Sequence, residues 1–132
     1  MTDHELIQCF EAGCPPDPFH HADHVKLAWL YLRRHGVPEV LTRLSGGLRT
    51  LANVRGKPDR YHETITLAYL LLINERIASG PASNTWSDFA RENADLLKWK
   101  GGILDSYYRP EILTSDLARR VFVFPEPYRP SA

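Results

Sequence analysis

Three of the six histidines have the spacing of metal ligands or acid–base groups. His21 and His24 stand three apart in Phe19-His20-His21-Ala22-Asp23-His24, and His62 opens a second motif, Tyr61-His62-Glu63-Thr64. On a helix, side chains three apart are separated by about 5 to 6 Å at Cβ, so both imidazoles reach one ion. His62 on a facing helix would complete a three-nitrogen site whose fourth position stays open to water, a carboxylate or substrate. The expected cofactor is a divalent first-row metal (Zn, Fe or Ni), since each accepts imidazole nitrogen. An open position on such an ion suits a hydrolase, lyase or oxygenase acting on a small-molecule substrate. Glu63, beside His62, and Thr66, one turn further on, are the candidates for assisting proton transfer or positioning substrate water.

Other chemistry fits the same residues. Without a metal, one histidine can serve as general base with Tyr69 as acid. Equally, the rings can be structural, bonded to Tyr31, Tyr69, Thr66 or backbone carbonyls. The chain would then be a non-enzymatic binding or regulatory module that offers an aromatic surface to a protein partner. H-x-x-H is not the H-E-x-x-H of zinc proteases, and the sequence has no Gly-rich phosphate loop and no G-x-S-x-G elbow. Trp29, Trp86, Trp99 and Tyr107-Tyr108 read as core and lid residues. Arg119-Arg120 either holds an anionic substrate or complements the C-terminal end of a helix.

The helices that carry these groups follow from apolar periodicity and caps. At about 100° per residue, His21, His24, Val25, Ala28 and Leu32 share one face, opposite Asp23, Lys26, Arg33 and Arg34, with His20 at the edge. His62 shares a face with Ile65, Thr66, Tyr69 and Ile73, and Glu63 points about 100° away. Both sets lie in a first helical turn, where the dipole disfavours imidazolium and should keep the rings neutral.

Thr2 and Glu5 form a capping-box pattern for a first helix that Gly13 ends. Asp17 as N-cap and Pro18 at the first position start a second helix over 18–35, which Gly36 stops. Pro38 and Glu39 open a third, carrying Val40, Leu41, Leu44, Leu48 and Leu51, with Gly46-Gly47 as its weak point or kink. Gly56-Lys57-Pro58-Asp59 is a turn, and the apolar segment 60–79 is the central helix. A short capped helix is expected over 85–93 and another within 96–108, broken from it by Gly101-Gly102. Ser115 caps a last helix through 120, and Val121-Phe122-Val123-Phe124 forms a tail over the body. The fold class is therefore all-α, a single-domain compact bundle of about five to seven helices over 1–132 with an extended C-terminal tail.

Composition bounds the partners. Apolar residues at 43% and charged residues at 24% of 132 describe a globular chain able to bury a core. Sixteen basic residues against sixteen acidic ones leave no net field for a nucleic-acid backbone. The apolar run Leu70-Leu71-Leu72-Ile73 is far below the roughly 20 residues of a membrane span, and the N-terminus reads as no leader, so the expected location is cytoplasmic. Cys9 and Cys14 read as two free thiols. An apolar face on the third helix is the candidate for a homodimer.

Phe19-x-His21-x-x-His24 with Leu27-Ala28-Trp29-x-Tyr31-Leu32, Tyr61-His62-Glu63-Thr64-x-Thr66, Ser115-x-Leu117-Ala118-Arg119 and Phe122-x-Phe124-Pro125 span most of the chain. In these motifs it resembles a family of small uncharacterised bacterial helical proteins. That resemblance implies a bacterial helical domain and no particular activity. The chain differs from HD phosphohydrolases, since it has Asp23-His24 in place of His-Asp, and from DinB-like bundles, where the lone histidine precedes the pair.

Overall fold

The structure, a computed structural model, describes residues 1–13, 19–82 and 84–127. The Asp17 cap, Pro18 and the Cys14 thiol lie outside the described residues. Seven α-helices form among the described residues: α1 (Asp3–Glu11), α2 (His21–Leu32), α3 (Val37–Val54), α4 (Glu63–Ser79), α5 (Trp86–Glu92), α6 (Pro110–Leu113) and α7 (Asp116–Arg120). Single 3₁₀ turns occur at Pro58–Arg60, Ala94–Leu97 and Ile103–Ser106. The described residues contain no strand, and the all-α class stands.

Hydroxyl caps start three helices where the sequence places them. The Glu5, Asp88 and Ala118 amides donate to the hydroxyls of Thr2, Thr85 and Ser115 at 3.1, 3.2 and 3.1 Å. Each such cap contributes about 1 kcal/mol. The start of α2 is at His21 and not Pro18. His20 is its N-cap, and the His20 amide donates to the Asp23 carboxylate at 2.9 Å, so the reciprocal half of a capping box fixes the boundary. The helix also ends early, at Leu32, and Gly36 is the N-cap of α3 with extended backbone (φ −77°, ψ 168°). Similarly, α4 begins after His62 and not at Arg60.

The helix is not interrupted at Gly46-Gly47: α3 is continuous for 18 residues. Gly47 lies under the Phe10 ring of α1, so closely that a Cβ there would overlap the ring, whereas a Cβ at Gly46 would meet nothing within 4 Å. The two adjacent glycines should therefore respond oppositely to alanine. Gly46→Ala is expected to stabilise by up to about 1 kcal/mol through helix propensity. Gly47→Ala should cost about 1 to 3 kcal/mol, because buried Phe10 must move. Urea denaturation of both variants checks this, and equal shifts would refute the close contact.

Segment 96–108 forms no α-helix, only short 3₁₀ turns on either side of Gly101, which adopts φ 61°. One-turn α6 precedes α7 unannounced by apolar periodicity.

α4 is the central helix, packed against α2, α3 and α7. Leu70 and Ile73 of α4 join Leu27, Val40 and Leu96 as fully buried side chains of the core. Burying each such residue contributes about 1.5 to 3 kcal/mol. Arg76 ties α4 to the segment after α5 through a two-pronged contact with Asp95 (2.7 and 3.0 Å) and a bond to Asn93 (3.0 Å).

Among the described residues one polar side chain is wholly inside. Thr64, in the first turn of α4, is 0% exposed; its hydroxyl donates to the Val121 carbonyl at 2.9 Å and accepts from the Val123 amide at 3.0 Å. The Tyr108 hydroxyl donates to the Val123 carbonyl at 2.7 Å. These bonds lay the segment after α7 over the body as an extended strap. No helix among the described residues is long and apolar enough to cross a membrane.

Candidate functional site

The N-terminal turns of α2 and α4 meet beside α3 and border a cavity of about 740 Å³. Its walls are largely apolar, with Val25 and Ala28 from α2, Leu44 and Leu48 from α3, and Ile65 and Ile73 from α4. His21, His24, His62, Thr66 and Tyr69 all line it, so the faces inferred from periodicity do converge.

His21 is held by its Nε2, 2.9 Å from the Leu96 carbonyl. A carbonyl only accepts, so Nε2 carries the proton and Nδ1 of the neutral ring is the basic nitrogen, without a hydrogen-bond partner among the described residues. Tyr69 packs edge-on against this ring (centroids 4.6 Å apart), and Trp99, 55% exposed, lies beside it at 5.1 Å. Burial pulls the His21 pKa down against the opposing pull of the Leu96 carbonyl.

His24 stacks on Phe19 with centroids 4.3 Å apart. Burial brings its pKa down to about 4, helped by His21 and Arg55 and opposed by Asp23 and the Phe19 carbonyl. Two neighbouring imidazoles are thus neutral at pH 7. Neutrality was expected from the helix dipole, but burial is the principal cause.

His62 is placed differently from the expectation. It is the N-cap of α4 and not a first-turn residue; its Nδ1 accepts from the Ile65 amide at 3.1 Å, and its Nε2–H donates to the Leu113 carbonyl at 2.7 Å. Both nitrogens are in use, so His62 presents neither a lone pair nor a spare proton to the cavity. Among the described residues no group of three His, Cys, Asp or Glu side chains is placed to hold a metal ion.

Glu63 is turned away from the cavity. It accepts from the Tyr61 hydroxyl at 2.5 Å and pairs with Arg49 at 3.6 Å, while the Arg49 guanidinium lies 4.3 Å from the Tyr61 ring centre. Burial and the Glu63 bond push the Tyr61 phenol up to about 12. Glu63 thereby orients Tyr61, which does line the cavity. Thr66 lines it too, with its hydroxyl proton directed to the His62 carbonyl at 2.8 Å. Burial raises the Tyr69 phenol pKa, so this group keeps its proton at neutral pH.

Sequence reasoning named Arg119 as a possible anion holder and missed the rest of the cationic side of the cavity. Arg55, Lys57 and Arg60, on the turn between α3 and α4, line it together with Arg119 of α7, and Asp59 is the one acid among the lining residues. The signal was present as three cations in Arg55-Gly56-Lys57-Pro58-Asp59-Arg60, immediately before the Tyr61-His62 motif.

Comparison with known proteins gives no significant match to a family model, a curated protein or a solved structure.

Proposed function

We propose that the protein is an enzyme that performs acid–base chemistry on a small molecule in this cavity, with His21 as general base and Tyr69 as hydrogen-bond donor or acid. The observation that carries this reading is the His21 ring itself, with one nitrogen anchored to the Leu96 carbonyl and the other unpartnered among the described residues beside a mainly apolar cavity. Such anchoring selects the tautomer and orients the base, and the imidazolium formed on taking a substrate proton keeps its bond to Leu96. His24, neutral and adjacent, adds no positive charge that would oppose that protonation.

A metal-dependent form of the same reading has one specific support. His21 bonds the Leu96 backbone carbonyl, which is the outer support that metal-ligating histidines typically have, and His24 lines the same cavity. A zinc, iron or nickel ion would then be held by these two residues, with water or substrate as further ligands.

The test is turnover of model esters, amides and hydroxy-carbonyl compounds by the untagged protein, followed by NMR, beside a His21→Ala variant of unchanged helicity. Loss of about 10² to 10⁴-fold in kcat/KM is expected for the variant. Equal turnover would refute the assignment. Stoichiometric bound metal, measured by mass spectrometry and lost in His21→Ala, would select the metal-dependent form; binding of small molecules without turnover would leave a ligand-binding module.

A further inference from the structure

We propose that the molecule this cavity takes is an amphipathic carboxylate, its head held by Arg55 and Arg60 at the mouth and its apolar body lying against α3 and α4. This rests on reading the cavity as a small-molecule site.

The mouth is cationic by construction and not through overall charge, since the whole chain has sixteen residues of each sign. Most arginines of the described residues are neutralised: Arg43, Arg49, Arg76, Arg91, Arg109 and Arg120 all pair with carboxylates. Arg55, Lys57 and Arg60 have no such partner among the described residues, although all three line one cavity. Arg119 is held loosely, 3.7 Å from Asp116. Desolvated or not, a guanidinium without a protein carboxylate is the group best shaped to take one from a ligand, through two parallel N–H donors.

The unpaired guanidinium groups of Arg55 and Arg60 offer planar, paired N–H donors, a shape that the two oxygens of a carboxylate match. The same cavity is apolar over Leu44, Leu48, Ile65 and Ile73 and also holds the neutral histidines. Its volume of about 740 Å³ suits an eight-carbon chain or a substituted aryl ring, within the roughly 300 to 1,000 Å³ usual for small-ligand sites.

Isothermal titration of the full chain at pH 7.5 with octanoate, 1-octanol and octylammonium tests the proposal. Octanoate should bind about tenfold or more tightly than 1-octanol, and octylammonium more weakly than both. Arg55→Gln/Arg60→Gln changes exposed side chains only and should weaken octanoate about tenfold without altering 1-octanol. Equal affinities for octanoate and 1-octanol, both abolished by the cavity-filling Leu48→Trp, would overturn the carboxylate assignment while the cavity reading stands. Binding of none of the three would overturn both. Helicity of each variant is checked by circular dichroism.

Discussion

Acidification from pH 7 to pH 4 is expected to cost the fold about 3 kcal/mol through His24 alone. Its folded pKa of about 4 lies below the ordinary histidine value of 6.5, so below about pH 6.5 the unfolded chain takes up a proton that the folded one resists. Above that pH both states are neutral and the group is silent. Between 6.5 and 4 the unfolded state holds more protons, and stability falls as pH falls. His21, whose pKa is lowered in the same direction by burial, adds to the effect. Carboxylates also contribute to acid unfolding, as at Asp95, whose pKa its Arg76 partner lowers. The decisive measurement is therefore a difference: urea denaturation of the wild type and His24→Leu at pH 7.5, 5.5 and 4. The variant should lose about 3 kcal/mol less over this range. Identical pH slopes would show that the His24 ring charges freely in the native state.

Thr64→Val should be the most damaging near-isosteric change on α4, at about 2 to 4 kcal/mol. Valine keeps the shape of threonine but has no hydroxyl, so the Val121 carbonyl and the Val123 amide both lose a partner that is itself fully buried. A buried group left unpaired costs more than the bond itself contributed. Thr64→Ser retains the hydroxyl and removes one methyl, which should cost about 1 kcal/mol. Hydrogen exchange at the Val123 amide gives a local reading, with protection lost in the valine variant and kept in the serine one. Equal stability of the two variants would show that the strap is held by Tyr108 and packing instead.

Local chemistry was legible in the sequence, and long-range partners were not. Thr2, Thr85 and Ser115 cap helices because each hydroxyl bonds an amide three residues on, a contact that spacing alone specifies. The central place of α4 follows from apolar residues on nearly every side of it. By contrast, α2 starts late because a histidine occupies the N-cap and Asp23 supplies the carboxylate, a pairing outside the usual residue preferences. Gly47 reads as a helix weakness until Phe10 is seen lying on it.

The site divides in the same way. Periodicity brought His21, His24, Thr66 and Tyr69 to one cavity, because a helix face is a local property. It assigned His62 as a ligand because nothing nearby in sequence reveals that Leu113, 51 residues away, takes its Nε2 proton. Glu63 was read as an assisting base, and its engagement with Tyr61 and Arg49 likewise depends on side-chain geometry across the α3–α4 turn.

The strap over α4 also bears on synthesis of the chain. Thr64 leaves the ribosome 57 residues ahead of Val121, its hydrogen-bond acceptor. At about 5 to 20 residues per second, translation of that interval takes roughly 3 to 12 s. Throughout that time the Thr64 hydroxyl can be satisfied only by water or by a non-native partner, so the first turn of the central helix stays hydrated while its neighbours assemble. The helix at the middle of the fold is thus among the last to be sealed, and a nascent chain paused before residue 121 would expose that wet turn to cellular chaperones.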